Sequence, residues 1–495
     1  MMFLGIDLGT SSVKLIAVDE NGHILGESVR DYPIYYPQLN YAEQNPKDWW
    51  SATKEALKEI VDKIDVEVDE IESIGLSGQM HGLVILDEND NVLRPALLWC
   101  DQRTQKECDE ITEHFGKDKL RDLTANKALT GFTAPKILWV KKNEPEIFNK
   151  INKIMLPKDY INYKLTGNFS TDVSDASGML LVDVKNRTWS KEVLDFLSIK
   201  EEMLPKLYES SNSVGNLKDD LKKEIGITSD IVVAAGAGDQ AAGAVGTGVV
   251  EEGTISVALG TSGVVFAAHD KFAVDDEARV HSFCHANNKY HSMGVMLSAA
   301  SCLKWWVEEV NKNISFDELL KEATKIEPGS NGLIFLPYLM GERTPYPDPD
   351  ARGCFVGLTI THTRAHMTRA ILEGVSFGLR DSLEILKELG VPIKEVRVSG
   401  GGAKSDLWRQ ILADIFDCNI NTINTNQGPA LGGAILGCVA TGKYDTVEQV
   451  CNKLIKVTNT IKPIKENVKQ YNKTYEVYHE LYSTLKNTFS KISKI

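Results

Sequence analysis

The chain lacks an excess of positive charge. Lys and Arg together number 55 against 69 Asp and Glu, which gives a formal net charge of -14 at pH 7. Sequence-independent binding to nucleic acid or to an anionic membrane needs a basic surface that neutralises phosphates. The composition therefore favours a small-molecule substrate and argues against nucleic-acid and membrane partners.

Paired cysteines, a leader segment and long apolar runs are missing as well. The eight cysteines form no C-x-x-C pair, a pattern typical of reduced thiols. The first residues lack the basic start and small-residue cleavage site of a secretory signal, and no uncharged apolar run is long enough to span a bilayer. We therefore expect a cytoplasmic protein.

The length and the order of elements indicate two α/β domains. A chain of 495 residues exceeds what one hydrophobic core normally supports. Strand and helix patterns alternate from the start to about residue 245, which predicts a layered α/β domain. We place the domains at residues 1–246 and 247–495.

The stretch FLGIDLGTSS, residues 3–12, predicts a strand followed by a phosphate-binding turn. Nucleotide hydrolases usually bind phosphates with G-x-x-x-x-G-K and a following Ser or Thr. The lysine of that motif is absent here, so a nucleotide bound at this turn needs another source of positive charge.

A second copy of the turn could replace part of what the missing lysine provides. TISVALGTSGVVFAA, residues 254–268, repeats the order strand, L-G-T-S, small residue, strand. Two related domains could each offer one turn to a nucleotide in the cleft between them, with a magnesium ion completing the charge balance. Chance similarity of a short glycine turn is the alternative explanation.

Asp239 stands out in the stretch IVVAAGAGDQAAGAVG, residues 231–246. The glycine spacing is G-x-G-x-x-x-G, which does not fit the dinucleotide fingerprint. The small neighbours of Asp239 leave room for a ligand at the end of a strand. A carboxylate in that position is also a common helix N-cap.

Two further stretches carry candidate sugar contacts. In SGQMHG, Gln79 and His81 offer hydrogen-bond donors and acceptors, and Met80 an apolar contact, which suits a small polyol or sugar. In LLWCDQR, Asp101 and Arg103 lie near a tryptophan. That pair can bind a sugar, or it can form a salt bridge beside a core tryptophan.

The segment VSGGGAKSDLWRQILADI, residues 398–415, predicts a strand, a glycine turn and an amphipathic helix. Glycines let a ring or ribose approach the backbone, and a helix N-terminus favours negative charge. By contrast, GVSFG at residues 374–378 lies within a helical pattern, which is not the strand-turn-helix context of a nucleophilic serine.

These motifs together resemble the FGGY family of carbohydrate kinases, over nearly the whole chain. GFTAPKILWVKKN (131–143) is similar to the first family signature, and GCFVGLTITHTRAHMTRAILEGVSFGLR (353–380) to the second. SGQMHG, GAGDQAAGAVGTG and GTSGVVF agree in the same order. The resemblance implies two duplicated actin-like, ribonuclease H-like ATPase domains with a central cleft.

The resemblance also implies roles for individual residues. Asp239 would be the catalytic base, and Asp7 a second catalytic residue that organises Mg²⁺ through water. The implied sugar contacts are Met80 and His81, and we expect Gln79, Asp101, Arg103 and Gln240 to contact the sugar beside them. The implied ATP contacts are Thr10, Ser11, Ser12 and Lys14 at the first turn, Gly260 and Thr261 at the second, and Gly401, Gly402 and Asp406 at the adenosine.

The implied reaction is ATP-dependent phosphorylation of a ketopentose, with D-xylulose the best match, and a homodimer is the family-level expectation. Cys100 departs from the Asn usual at this position, which bears on the choice of ketose. Ribulose, gluconate and glycerol stay open as substrates. An actin-like ATPase that needs no sugar is the alternative from another class.

Overall fold

The computed structural model describes residues 1–64 and 70–495. In the first half, the strands are β1 Met2–Leu8, β2 Ser12–Asp19, β3 Ile24–Asp31, β4 Glu43–Gln44, β5 Ile71–Gly78, β6 Val84–Leu86, β7 Ala96–Leu97, β8 Lys153–Met155, β9 Ser170–Asp172, β10 Val182–Asp183, β11 Thr188–Trp189, β12 Lys206–Tyr208, β13 Ser213–Asn216, β14 Val232–Ala234 and β15 Ala237–Gly238. The helices of this half are α1 Pro46–Lys63, α2 Gln105–Phe115, α3 Lys117–Thr124, α4 Thr133–Asn143, α5 Pro145–Phe148, α6 Pro157–Thr166, α7 Val173–Ala176, α8 Lys191–Leu197, α9 Asp219–Ile225 and α10 Asp239–Gly246.

In the second half, the strands are β16 Thr254–Leu259, β17 Gly263–His269, β18 His281–Cys284, β19 Tyr290–Met296, β20 Ile334–Leu336, β21 Cys354–Val356, β22 Glu395–Ser399, β23 Ile420–Ile423 and β24 Val457–Ile461. The helices are α11 Ala300–Trp305, α12 Phe316–Ala323, α13 Arg364–Glu388, α14 Asp406–Phe416, α15 Gly428–Ala440, α16 Val447–Leu454 and α17 Lys465–Ile492. None of the described helices is both long and apolar enough to cross a membrane.

The predicted duplication is confirmed by the two main sheets. Within the described residues, each sheet has seven strands: β13-β14-β5-β1-β2-β3 with β15 beside β5, and β18-β19-β17-β16-β22-β23-β24. β1 pairs antiparallel with β2 and parallel with β5, and β16 pairs in the same way with β17 and β22. The two L-G-T-S turns therefore occupy equivalent positions, each joining the central strand of its sheet to the next strand.

Local sequence signals explain several boundaries. The Asn45 side chain accepts a hydrogen bond from the Lys47 amide (3.1 Å) and caps α1, with Pro46 as its first residue. Gly22 has a φ of 88° in the turn between β2 and β3, a conformation that favours glycine. GVSFG lies inside α13, as its helical pattern predicts.

The helices α10 and α15 join the two halves. α15 belongs to the second half of the chain, but it packs on β1 and β5 of the first sheet and on α10. A Cβ on Gly432 would overlap the carbonyl oxygen of Ala242, and one on Gly246 would overlap that of Gly428. Glycine at these positions permits the close backbone contact that brings the two sheets to one cleft.

Candidate active site

Asp7 and Asp239 are held at neighbouring strand ends of the first sheet. Asp7 lies beside Ser77 in the β1–β5 register, and Ala237 of β15 lies on the other side of Ser77. Asp239 follows directly after β15 and begins α10. Because β1 and β15 both pair with β5, the two aspartates lie on either side of β5 at the same edge of the sheet. Adjacent strands are about 4.8 Å apart.

Both carboxyl groups have elevated pKa values. Burial raises the pKa of Asp7 to about 6, against a hydrogen bond that the Ser77 hydroxyl donates to it (3.1 Å). Burial and then the negative charge of Asp7 raise the pKa of Asp239 to about 7, and hydrogen bonds from Gln240 act in the opposite direction. Asp239 can therefore both accept and release a proton near neutral pH.

Asp239 faces a cavity of about 280 Å³ between the two halves of the chain. Gln240 lines the cavity beside it, and Ser399 and Gly400 at the end of β22 form part of the opposite wall. A group bound at the glycine turn of the second half can thus meet one held by the first half at Asp239.

The first L-G-T-S turn presents backbone amides. The Thr10 carbonyl accepts a hydrogen bond from the Gln44 side chain (2.7 Å), and the Ser11 carbonyl accepts one from the Tyr32 amide (3.1 Å). Among the described residues, no acceptor pairs with the amides of Thr10 and Ser11. Ser12 begins β2, and the Lys14 ammonium lies 3.2 Å from the Glu27 carboxylate.

The second turn is fixed at the start of α11. The carbonyl of Gly260 accepts a hydrogen bond from the Ala300 amide (2.9 Å), and that of Thr261 accepts one from the Ala299 amide (2.9 Å). No acceptor in the described part of the chain pairs with the Thr261 amide. The two turns therefore offer the same kind of backbone donor.

A cavity of about 400 Å³ adjoins the second turn. Its lining includes Thr261, Gly401 and Gly402, and the apolar side chains of Leu303, Phe316 and Leu320. The size and mixed lining suit an aromatic base with its ribose. Asp406 begins α14 but does not line the cavity, and its exposed carboxylate pairs with Arg409.

Met80 and His81 follow β5, close to Asp239. Met80 packs on the backbone of Gly238, where any Cβ would collide with its side chain. His81 Nδ1 donates a hydrogen bond to the Gly178 carbonyl (2.7 Å), which leaves Nε2 as an acceptor. Burial lowers the pKa of His81 to about 3, so the ring stays neutral. Such a ring can accept a hydrogen bond from a sugar hydroxyl.

Gln79 is buried between the first turn and α1. Its amide nitrogen donates to the Gln44 side-chain oxygen (3.0 Å), an atom that also accepts a hydrogen bond from the Trp49 indole. Its own side-chain oxygen has no hydrogen-bond partner among the described residues. Gln79 therefore links the first L-G-T-S turn to the Met80–His81 segment.

Asp101 and Arg103 form the salt bridge that the sequence left open as an alternative. The Arg103 guanidinium donates to both Asp101 oxygens (2.7–3.0 Å) and to Glu43 (2.7 Å), and it lies over the Tyr41 ring. Both side chains are almost completely buried. This geometry argues against the predicted direct sugar contact, because neither side chain has free surface for a ligand.

Sequence reasoning missed other buried charges near Asp239. The Lys158 ammonium lies between Asp159 (2.8 Å) and Asp172 (3.1 Å), below the end of β5. Burial raises the pKa of Asp175 well above its usual range, and both its oxygens lack hydrogen-bond partners in the described residues. The S-D-A-S sequence around Asp175 has no distinctive spacing, so the sequence alone could not indicate this buried carboxyl group.

Comparison with known proteins identifies the family. The N-terminal domain of the FGGY family of carbohydrate kinases matches residues 2–246, and its C-terminal domain matches residues 255–441. The chain is 41% identical to the xylulose kinase of Bacillus subtilis over 94% of each chain. It is 40% identical to that of Escherichia coli over 92% of this chain and 93% of the other.

A solved structure of a xylulose kinase from Brucella ovis agrees with the fold. It has a TM-score of 0.94 and 39% sequence identity, over 99% of this chain and 100% of the other. The chain belongs to the FGGY family of carbohydrate kinases, and it is a sugar kinase with the two-domain fold of that family.

Proposed function

For this member of the FGGY family, we propose ATP-dependent phosphorylation of D-xylulose to D-xylulose 5-phosphate. The observation that carries the proposal is the position of Asp239, which lines the cavity between the domains and directly follows the contact between Gly238 and Met80. Relatives named xylulose kinase at about 40% identity support the choice of ketose.

Asp239 acts as the general base. It accepts the proton of the terminal sugar hydroxyl while that oxygen forms a bond to the γ-phosphorus, and the bond from phosphorus to the β–γ bridging oxygen breaks to release ADP. The pKa of about 7 suits this role, because a base works best when its pKa is near the working pH.

The two turns bind the phosphates with backbone amides in place of the missing lysine. Thr10, Ser11, Ser12 and Lys14 contribute from the first turn, and Gly260 and Thr261 from the second. The cavity next to Gly401 and Gly402 holds the adenosine. Asp406 begins α14, where its negative charge stabilises the helix N-terminus, and it does not line this cavity.

Asp7 is the residue that fits Mg²⁺. Mg²⁺ in kinases is held by one or two carboxylates, water and substrate phosphates, which matches the single carboxylate of Asp7 at the edge of the cleft. Within the described residues there is no cluster of three or more His, Cys, Asp or Glu side chains that would form a complete protein cage. When bound through water, the ion would neutralise charge on the transferring phosphate oxygens.

Gln79, Met80, His81 and Gln240 position the sugar. His81 accepts a hydrogen bond at Nε2, Met80 covers an apolar face of the carbon chain, and Gln240 lies beside the reacting hydroxyl. Asp101 and Arg103 act structurally, through their buried ion pair.

An ADP-release assay tests the proposal. Mg-ATP is supplied with D-xylulose, D-ribulose, L-ribulose, gluconate, glycerol or no sugar. We expect release with D-xylulose well above every other condition. Preference for another sugar would contradict the assignment of D-xylulose, and equal release without sugar would favour an ATPase and remove Asp239 as the base for a sugar hydroxyl.

We also propose that the protein is cytoplasmic and forms a homodimer. The eight cysteines all lie in the described residues and are all free, which suits a reducing compartment. The dimer follows from the family resemblance, and light scattering during size-exclusion chromatography tests it: a mass near 55 kDa would contradict it, since the monomer has 54.8 kDa.

A further inference from the structure

Glu342 is a buried residue whose carboxyl group binds the chain between β19 and α11. Its side-chain oxygen Oε1 accepts hydrogen bonds from the Leu297 amide (2.9 Å) and from the Arg343 amide (2.7 Å). Leu297 directly follows β19. Glu342 therefore holds the chain at the point where it leaves the second sheet.

The segment that begins there, residues 297–301, holds the second L-G-T-S turn. The amides of Ala299 and Ala300 donate to the two carbonyls of the turn (2.9 Å each). The Ser301 hydroxyl also donates to the Thr261 carbonyl (2.7 Å). The segment thus binds the carbonyl side of the turn, whereas the Thr261 amide has no acceptor in the part of the chain that the structure describes.

The backbone of Glu342 is itself fixed to the second domain. Its amide donates to the Asp348 carbonyl (2.9 Å), and the Asp348 amide donates back to the Glu342 carbonyl (3.0 Å). Two residues further on, the Thr344 amide donates to the Val295 carbonyl of β19 (3.0 Å), and the Val295 amide donates to the Thr344 hydroxyl (3.1 Å). The carboxyl group therefore has a defined position relative to the second sheet.

The contact of Glu342 with the Leu297 amide does not need a negative charge. Burial raises the pKa of Glu342 to about 8, so the group is largely protonated at neutral pH. A protonated carboxyl group still accepts hydrogen bonds, and so does the side-chain oxygen of glutamine. Leucine offers no acceptor, and a buried amide that loses its acceptor costs free energy.

We propose that Glu342 is a positioning residue for ATP. It holds residues 297–301, and these residues keep the backbone amides of the second turn directed at the phosphates. Glu342 does not line the proposed adenosine cavity, so it acts through the turn. The inference rests on the proposed binding of the ATP phosphates at Gly260 and Thr261.

The test compares a non-hydrolysable ATP analogue with adenosine, which lacks the phosphates, by titration calorimetry in the presence of Mg²⁺. For Glu342→Leu, we expect the dissociation constant of the ATP analogue to rise about threefold to tenfold, the usual effect of one lost hydrogen bond. The affinity for adenosine and the KM for the sugar should stay nearly unchanged. An equal loss for both ligands, or no loss for the ATP analogue, would overturn the inference.

Two variants separate positioning from charge and from a general loss of stability. Glu342→Gln keeps the acceptor and should bind the ATP analogue as the wild type does, so a loss as large as that of Glu342→Leu would contradict the inference. Asp414→Leu is the matched control, because this buried carboxylate accepts from the Ile464 amide (2.8 Å) but does not line the adenosine cavity. It should lower the melting temperature and leave the preference for the ATP analogue over adenosine unchanged. A change in that preference as large as in Glu342→Leu would count against a specific role of Glu342.

If Glu342→Leu does not fold, Glu342→Asp decides. Its side chain is one carbon shorter, which withdraws the acceptor from the Leu297 amide. We expect a loss of affinity confined to the ATP analogue, and an unchanged ratio of the two affinities would contradict the inference.

The outcome separates this inference from the proposed function. If the wild-type protein binds the ATP analogue no more tightly than adenosine, the proposed phosphate binding at the turns fails. If the wild type prefers the ATP analogue and Glu342→Leu keeps the full preference, only the role of Glu342 fails. The choice of D-xylulose enters neither binding measurement.

Discussion

At the scale of single residues, Asp239 gives the most direct test of the chemistry. We expect Asp239→Asn to lower kcat by about two orders of magnitude or more, the range for a lost general base. The affinity for ATP should remain, because Asp239 lies outside the proposed adenosine cavity. Steady-state ADP release measures kcat, and a fluorescent ATP analogue measures binding. Near-normal turnover would remove Asp239 from this role, and Asp195→Asn at an exposed position of α8 serves as the control.

The pH dependence of the wild type follows from the same residue. A base must be unprotonated to accept the sugar proton, and the pKa of Asp239 is about 7. Activity should therefore rise as the pH increases from 6 through 7 and level off above about 8. We expect kcat/KM for D-xylulose to follow this curve, and the residual activity of Asp239→Asn to lose it. A curve that falls over this range would contradict the assignment.

A variant of Arg103 distinguishes a structural role of this side chain from direct sugar binding. Arg103→Gln leaves the buried carboxylate of Asp101 without its ion-pair partner, which costs about 3–5 kcal/mol in comparable buried pairs, whereas Glu43 keeps its pair with Arg94. We expect a large fall in the free energy of unfolding in urea, with the KM for D-xylulose changed little in the protein that stays folded. A large rise in KM with normal stability would instead restore the direct sugar contact.

At the scale of elements, local sequence signals predicted helices, strands and turns, but they did not predict the contacts between elements distant in sequence. Polar caps and hairpin turns act through neighbouring residues, so α1 and the duplicated strand-turn-strand units could be predicted from the sequence alone. Asp239, Met80 and His81 could be placed at strand ends for the same reason. The pairing of Lys158 with Asp172 could not, because these residues lie on different elements that meet only in the folded chain.

The helix α15 is the clearest example of a missed element. Its glycines lower helix propensity, so GPALGGAILG gave no sign of the contact it makes between the domains. The close approach that requires glycine is visible only when α15 lies against α10. Asp101 and Arg103 are similar, since their residue types suit a sugar site, but burial turns them into a salt bridge.

The seam between α10 and α15 gives a prediction at this scale. In Gly432→Ala, the added Cβ would overlap the Ala242 carbonyl oxygen, so the two helices must separate. We expect a loss of about 1–3 kcal/mol in the free energy of unfolding, the usual cost of overpacking. Because α10 begins at Asp239, kcat should fall as well. Gly243→Ala on α10 is the matched control for stability alone, since its Cβ would meet Pro429 at an ordinary 3.6 Å but Gly243 also lines the cavity beside Asp239.

At the scale of the whole molecule, the reaction needs both domains to act on one ligand pair. The proposed sugar contacts come from the first domain, and the proposed adenosine cavity lies in the second. Transfer to a hydroxyl instead of water requires a cleft that excludes water when both substrates are present. Binding of the sugar and of the nucleotide should therefore favour the same closed arrangement.

This coupling can be measured as thermal stability. A ligand that binds only the folded state raises the melting temperature, and two ligands that favour one arrangement raise it by more than the sum of their separate effects. We expect D-xylulose and a non-hydrolysable ATP analogue with Mg²⁺ to show such an excess by differential scanning fluorimetry. Replacing D-xylulose by a sugar that does not support ADP release should abolish the excess. Strictly additive shifts would mean that the two halves of the site bind independently, and sugar specificity would then depend on the first domain alone.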